Sequence, residues 1–513
     1  MSDEADLLAA LRRHWGYDSF RPLQERVVRS LLAGHDVAVV MPTGGGKSLC
    51  YQLPALVSGR TAVVVSPLIA LMQDQAAQLA EMGIPAAVLN SSLAGAEQSQ
   101  VMRKAMAGEY RLLYMSPERL ARPDTLGWLE RVPLAFFAID EAHCISEWGH
   151  EFRPEYRQLR CLRQRFPDLP IAGFTASATK RVRHDIIHQL ELREPDKYIM
   201  SFHRPNLRYL VRQCDAKTQQ RLLLSALGEH AGDNVIIYAP TIKRVDETVA
   251  FLRSRKIDAI PYHGQMESDT RRRNQERWMS DEVPVLVGTI AFGLGINKAA
   301  VRAVIHLSLP KSIEQYYQEA GRAGRDGLPS DCLLLWQKRD TGLLAHFIGE
   351  LTDPDEKQRA WQRYREVKNF TESQHCRPHQ ICIHFGETPK WQRCEMCDFC
   401  GAAPDWWTAE SAELEPVRKR VPRAVPSRSQ PLAPTGPLDP ELLKRLKSWR
   451  WGVAKSRGIA PFVILHDATL EALCRRRPRT IAALLDVSGI GEHKAAQYGA
   501  DLLKVLGGDS ATV

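Results

Sequence analysis

Residues 140–156, DEAHCISEWGHEFRPEY, place an acidic pair next to a run of aromatic and basic side chains. Asp140 is suited to holding Mg2+ through water, and Glu141 to polarising an attacking water. Trp148, His150, Phe152, Arg153 and Tyr156 then offer flat faces for stacking on bases and cations for phosphates. Nucleotide hydrolysis and nucleic-acid contact are therefore expected side by side. Taken alone, the same residues would equally suit a metal-free acidic strand end followed by an amphipathic surface loop.

A second phosphate element decides between these readings. In VAVVMPTGGGKSLCYQLP a β-type run leads through a Gly-rich turn into a helical pattern opened by Lys47 and Ser48. This is a P-loop formed by Met41, Pro42, Thr43, Gly44, Gly45, Gly46, Lys47 and Ser48. The glycines leave backbone N–H groups free to cradle the β-phosphate, Lys47 neutralises the β/γ charge, and Ser48 offers its hydroxyl to Mg2+. Met41 stands where the general pattern has its first glycine, a departure that fits the P-loops of nucleic-acid-dependent motors. ATP with Mg2+ is the expected cofactor pair.

These groups need a scaffold that brings strand ends together. The run LAFFAID has the unbroken apolar character of a buried parallel strand, which puts Asp140 and Glu141 at its C-terminal end, where α/β sheets hold ligands. From Asp36 to about Glu194 such runs alternate with helical stretches: DVAVVM, TAVVVS, PAAVLN, YRLLYMS, LAFFAID and PIAGFTA. A second alternating series, NVIIYAPT, AIPYHGQM, PVLVGTIAFGLGI and AVIHLSL, carries no P-loop. It ends in QEAGRAGRDG, where Arg322 and Arg325 lie near one face of a helix start or turn. Arginines without a phosphate cradle make sense if they are lent to nucleotide bound on the first lobe. The fold class expected is α/β, with two parallel-sheet lobes.

A chain of 513 residues divides into several domains, since one core seldom grows beyond about 250–300 residues. The formal charge of +9 favours a polyanionic partner without demanding one. No apolar run reaches the roughly 20 residues that a bilayer span needs, and MSDEADLLAALRRHWG reads as an acidic-started amphipathic helix rather than a signal peptide. A soluble, intracellular protein is expected, with no membrane partner. Cys50, Cys161, Cys214, Cys332 and Cys474 are scattered singly and read as reduced structural residues.

Cys376 and the CEMCDFC run of Cys394, Cys397 and Cys400 can close a tetrahedral Zn2+ site with no open position, so the metal would be structural. Cys382, His375, His379 and His384 compete for the fourth place. Residues 343–402 read as a helical zinc-binding subdomain. Residues 403–436, rich in Pro and Ala, read as a flexible linker. From Pro437 onward helical periodicity with short turns predicts a small all-α bundle. Lys444, Lys447 and Trp451, with Arg450 and Lys455, form a candidate DNA face on its first helices, with core packing of Trp449 or Trp451 as the rival reading. SGIGEHK, around Gly489 and Gly491, reads as a tight interhelical turn.

Taken in order, these motifs resemble superfamily 2 helicases and, more narrowly, the RecQ family of DNA helicases. TGGGKS resembles motif I, SPLIALMQDQ motif Ia, DEAH motif II, TASAT motif III, TIAFGLGIN motif V and QEAGRAGR motif VI. The lobes, by that resemblance, are RecA-like, spanning 1–205 and 206–342. FRPLQ resembles the family's adenine-recognising element, which implicates Phe20, Arg21 and Gln24, and SEWGHEFRPEY the segment coupling single-strand binding to hydrolysis. The resemblance makes Arg325 the arginine finger with Arg322 beside it, puts His143 in an interlobe network, and picks Cys376 as the fourth zinc ligand. Asn297 departs from the family's usual Asp, and motif IV is loose. The 437–513 bundle resembles a helicase-and-RNase-D C-terminal (HRDC) domain, and the 403–436 segment is too short for the winged helix usual between zinc element and bundle.

The expected activity is that of an ATP-dependent 3′-to-5′ DNA helicase in recombination or repair. The alternatives are a DNA-stimulated translocase or annealing factor that leaves duplexes intact, and a non-enzymatic DNA-binding scaffold. Expected partners are single-stranded and tailed or forked DNA and a single-strand-binding protein, for a monomer in the cytoplasm, nucleoid-associated if bacterial.

Overall fold

The computed structural model describes residues 4–90, 93–149, 151–289, 298–408, 438–457 and 461–507. The chain forms two compact units, one of residues 1–201 with 436–513 and the other of residues 202–435. His150 and residues 290–297, which hold all of motif V after Thr289 and include Asn297, lie outside the described residues, as do the Lys455 side chain and residues 409–437.

The first unit is built on strands β1 (Val37–Val40), β2 (Thr61–Val65), β3 (Ala86–Leu89), β4 (Leu112–Met115), β5 (Leu134–Ile139), β6 (Ile171–Thr175) and β7 (Asp196–Ile199). They make one sheet in the order β3-β4-β2-β5-β6-β1-β7, with every pairing parallel. Buried residues on β2, β4, β5 and β6 account for the unbroken apolar runs. Register fixes the site: Val40 of β1 lies beside Thr175 of β6, and Val65 of β2 beside Ile139 of β5, so the P-loop, TASAT and DEAH emerge from one edge of the sheet.

The second unit carries β8 (Leu207–Gln213), β9 (Asn234–Tyr238), β10 (Ala259–Tyr262), β11 (Val285–Gly288), β12 (Val301–His306) and β13 (Ser330–Trp336), in the parallel order β10-β11-β9-β12-β13-β8. Strands β7, β8 and β13 are additional to the ten apolar runs read from the sequence. Helices Lys338–Gly349, Pro354–Glu372 and Arg377–His384 follow, then the cysteine cluster. That cluster is tied to the β8 edge: Tyr209 N donates to Met396 O at 3.2 Å, and Asp398 N to Tyr209 O at 3.0 Å.

One expectation needs correction. The segment proposed to start a flexible linker at residue 403 is packed through residue 408: Trp407 joins the core of the second unit, Trp406 Nε1 donates to Glu229 at 2.8 Å, and Arg221 holds Trp406 O at 3.2 Å. The C-terminal helices Pro440–Arg457, Pro461–Ile464, Asp467–Arg476, Ile481–Leu485 and Glu492–Gly507 enclose a core of Leu446, Leu465, Leu470, Leu484, Ile490 and Leu502. Whether this bundle docks on a motor lobe was not legible in the sequence; it shares a unit with the first lobe.

Its SGIG turn is the docking edge, not merely an internal corner. Gly489 N donates to Gly16 O at 3.1 Å, and a Cβ on Gly491 would lie 2.3 Å from Arg13 O. Beside it, buried Glu81 takes a 2.8 Å ion pair from Arg457 and a hydrogen bond from the Tyr498 hydroxyl, while His493 Nδ1 bonds Glu81 O at 3.0 Å. Backbones that approach this closely tolerate no added methyl. Gly491→Ala is expected to cost about 1–3 kcal/mol through overpacking, and hydrogen exchange should quicken at residues 4–16 and 79–83 while the P-loop helix Lys47–Val57 stays protected.

Candidate active site

The P-loop turns on two left-handed glycines, Gly44 and Gly46, with φ of +84° and +85°. At Gly46 a Cβ would fall 2.3 Å from Gln24 Nε2, so the missing side chain is what lets the FRPLQ segment close on the loop. Gln24 Nε2 donates to Gly46 O at 3.1 Å, its Oε1 accepts from Arg21 N at 2.8 Å, and the Arg21 guanidinium reaches Gly44 O. Phe20 packs half-buried against the lobe core. Met41 is fully buried in that core and is absent from the positive-φ positions, so its place in the loop never required glycine. Lys47 opens the helix and its Nζ donates to Met41 O at 3.3 Å, while Ser48 Oγ accepts from Gln75 of the SPLIALMQDQ helix at 3.5 Å.

At the end of β5, Asp140 is almost completely buried. Burial, then the charge of Glu141, push its carboxyl up to about 7, against the downward pull of Lys47. A buried carboxylate facing the P-loop lysine fits a Mg2+ site: Asp140 and Ser48 would hold the ion, which supplies charge neutralisation at the β/γ-phosphates. Glu141 adopts φ +48°, a conformation that costs a non-glycine residue about 1–2 kcal/mol. The turn is braced by Asp140 N on Val65 O at 2.8 Å, by Glu141 N on Asp140 Oδ1 at 3.0 Å, and by the Tyr156 hydroxyl on Asp140 O at 3.0 Å.

Glu141 in turn lies 3.3 Å from His143 Nδ1, which bonds Thr175 Oγ1 at 3.0 Å, and Thr175 Oγ1 donates to Ser177 O at 3.1 Å. A polar chain thus runs from DEAH to TASAT inside the first lobe. Burial draws the His143 pKa down, yet Cys144 and Glu141 outweigh it and hold the ring well above its ordinary value.

The aromatic loop leaves this turn directly. Trp148 is half-buried with the Arg181 guanidinium 3.0 Å from its ring centroid, Phe152 is half-buried with Arg157 at 5.2 Å, and Arg153 N donates to Cys144 O at 2.9 Å. Tyr156 corrects the sequence reading. It is fully buried, so its ring is a brace beneath the metal-binding strand end and offers no face to DNA. In the structure Tyr156 falls in the short helix Pro154–Arg157, two positions from the exposed Pro154 and so on the opposite, inward face.

On the second unit, Arg322 is buried and lies with Arg325 beside the Tyr238 hydroxyl at the end of β9. The GRAGR turn is pinned from the FHRPN segment: Arg204 Nη2 and Asn206 Nδ2 donate to Gly324 O at 2.8 and 2.9 Å. Farther on, one sulfur each from Cys376, Cys394, Cys397 and Cys400 lies within 4.8 Å of the others, and the Cys394–Cys400 separation is 4.0 Å. Tetrahedral zinc–thiolate geometry sets sulfurs about 3.8 Å apart, so these four fit a structural Zn2+. Cys382, His375, His379 and His384 stand outside that cluster, and His384 instead bonds Glu314 at 2.8 Å. In the bundle Lys444 is exposed and Lys447 and Trp451 are half-buried, but Arg450 is buried in a 2.7 Å pair with Asp467 and so leaves the candidate DNA face.

This order of elements recurs in known families. Residues 21–186 match the DEAD/DEAH box helicase family, 218–327 the helicase conserved C-terminal domain, 338–401 the RecQ zinc-binding family and 439–506 the HRDC domain. The ATP-dependent DNA helicase RecQ of Pasteurella multocida is 33% identical over 97% of this chain and 93% of its own. The chain belongs to the RecQ family. The RecQ of Haemophilus influenzae is 34% identical over 97% of this chain and 95% of its own. Both alignments are longer than this chain, so within the matched span those RecQ helicases carry residues that it lacks. The solved DUF1998 helicase MrfA bound to DNA shares the fold, with a TM-score of 0.55 at 19% identity over 67% of this RecQ chain, which spans about half of that structure, 52%. Among the described residues no helix is long and apolar enough to cross a membrane.

Proposed function

We propose that this RecQ-family chain is an ATP-dependent DNA helicase that moves 3′ to 5′ along single-stranded DNA in recombination or repair. One observation carries the coupling part of this reading: the turn bearing Asp140 and Glu141 is hydrogen-bonded to Tyr156 at the far end of the aromatic loop, and to Thr175 through His143. A loop that changes conformation on DNA pulls on the hydrolytic residues through those bonds. Lys47, Ser48 and Asp140 are proposed to bind MgATP, Glu141 to activate water, Arg21 and Gln24 to read the base, and Arg322 and Arg325 to stabilise charge on the γ-phosphate. Trp148, Phe152 and Arg153 are the proposed DNA contacts of the loop.

Strand displacement on a 3′-tailed duplex tests this, with a 5′-tailed duplex for polarity and Lys47→Ala as the inactive control. A second reading, DNA-stimulated translocation without strand separation, is favoured by the residues that relatives carry and this chain lacks. ATP hydrolysis stimulated by DNA with no displacement of either duplex would establish it. In the same assays Trp148→Ala is expected to leave the DNA-free ATPase intact and to cut stimulation by about tenfold or more, because base stacking contributes about 1–3 kcal/mol per base.

A further inference from the structure

The helix Lys180–Gln189, which starts directly after TASAT, holds the aromatic loop at two points on one face. Asp185 Oδ2 accepts from Ser146 Oγ at 2.6 Å, and Ser146 Oγ accepts from Trp148 N at 3.2 Å, which fixes the base of the loop. One turn earlier, Arg181 lays its guanidinium over the indole, 3.0 Å from the ring centroid. Arg181 sits in the first turn of its helix, where a cation meets the positive end of the dipole. Its place there is not explained by helix stability, whereas its contact with Trp148 is direct.

The geometry points to Arg181 as a residue that sets the threshold for DNA: it competes with a nucleobase for the face of Trp148. This rests on the reading of Trp148 as a base-stacking residue. A ring covered by a planar cation on one face cannot stack a base there. DNA must therefore displace the guanidinium, and the apparent affinity falls by the fraction of loops that are uncovered. Asp185 keeps Trp148 positioned during the exchange by anchoring Ser146. The surplus arginine of the loop region is thus a brake on weak or transient DNA encounters, not one more phosphate contact.

The two roles predict opposite signs. For Arg181→Ala in the full-length protein, the oligo-dT concentration giving half-maximal ATPase should fall about 2- to 5-fold, the scale of an exposed cation–π contact. The rate without DNA and the rate at saturation should hold. Arg181→Lys, with charge but no planar stack, should fall between alanine and wild type. Anisotropy with the same oligonucleotide should show the gain in affinity from Arg181→Ala disappearing in a Trp148→Ala background. A raised half-maximal concentration with a shallower salt dependence would make Arg181 a phosphate contact and overturn the proposal, and so would an unchanged value. A wild-type ATPase indifferent to DNA would instead overturn the coupling function on which the proposal stands.

Discussion

Glu141→Gln is expected to reduce kcat for ATP hydrolysis by about 10²- to 10⁴-fold, the contribution of a positioned general base, while ATP and single-stranded DNA bind as before. Glutamine keeps the size of the side chain and can still face His143 across the 3.3 Å gap. What it loses is the capacity to take a proton from water. The backbone around it is unaffected, because the φ +48° turn is held by Val65, Asp140 and Tyr156 and none of those bonds uses the Glu141 carboxylate. Rapid-quench hydrolysis with parallel nucleotide and DNA binding checks the split. A loss of nucleotide affinity equal to the loss of rate would reassign Glu141 to metal or phosphate binding. A phenotype identical to that of Trp148→Ala would break the separation between hydrolysis and its coupling to DNA.

The chemistry was legible in the sequence where it is compressed into adjacent residues. GGGKS, DEAH and CEMCDFC each state their ligand type in a few positions, and the structure brings the first two to one sheet edge and the four cysteines into one cluster. Less was legible where function depends on which way a side chain faces. Tyr156 and Phe152 read alike as aromatic residues in a basic loop, yet one is buried under Asp140 and the other half-buried beside Arg157. The edge strand β7 escaped notice because only Tyr198 in it is buried, so neither alternation nor an apolar run marks it. Bundle docking was the least visible feature, since its closest contacts depend on side chains being absent at Gly16 and Gly491. Trp406 and Trp407 were a missed signal, because two adjacent indoles in a supposed linker already call for a core to receive them.

Cys397→Ser is expected to empty the zinc site and release the 390–400 segment from the β8 edge, while Trp407 keeps residues 403–408 in the core of the second unit. Cys397 is the deepest of the four ligands, fully buried, and its neighbours Met396 and Asp398 exchange backbone hydrogen bonds with Tyr209 of β8. Bound zinc would do more than close a knuckle. It would hold the chain in the direction in which Asp398 meets Arg377 in a 3.0 Å ion pair, and Arg377 in turn bonds Phe370 O of the helix Pro354–Glu372. Removing one thiolate forfeits much of a binding free energy that runs to about 10–16 kcal/mol in small zinc domains, against which no single hydrogen bond at the β8 edge competes. Metal analysis should show the zinc gone, and limited trypsin digestion should open cuts at Lys390 and Arg393. Nucleotide binding by the P-loop should persist, because it belongs to the other compact unit. Zinc lost without new cleavage would mean that the helices and the β8 edge hold the subdomain unaided, and the metal would then need a role other than structural.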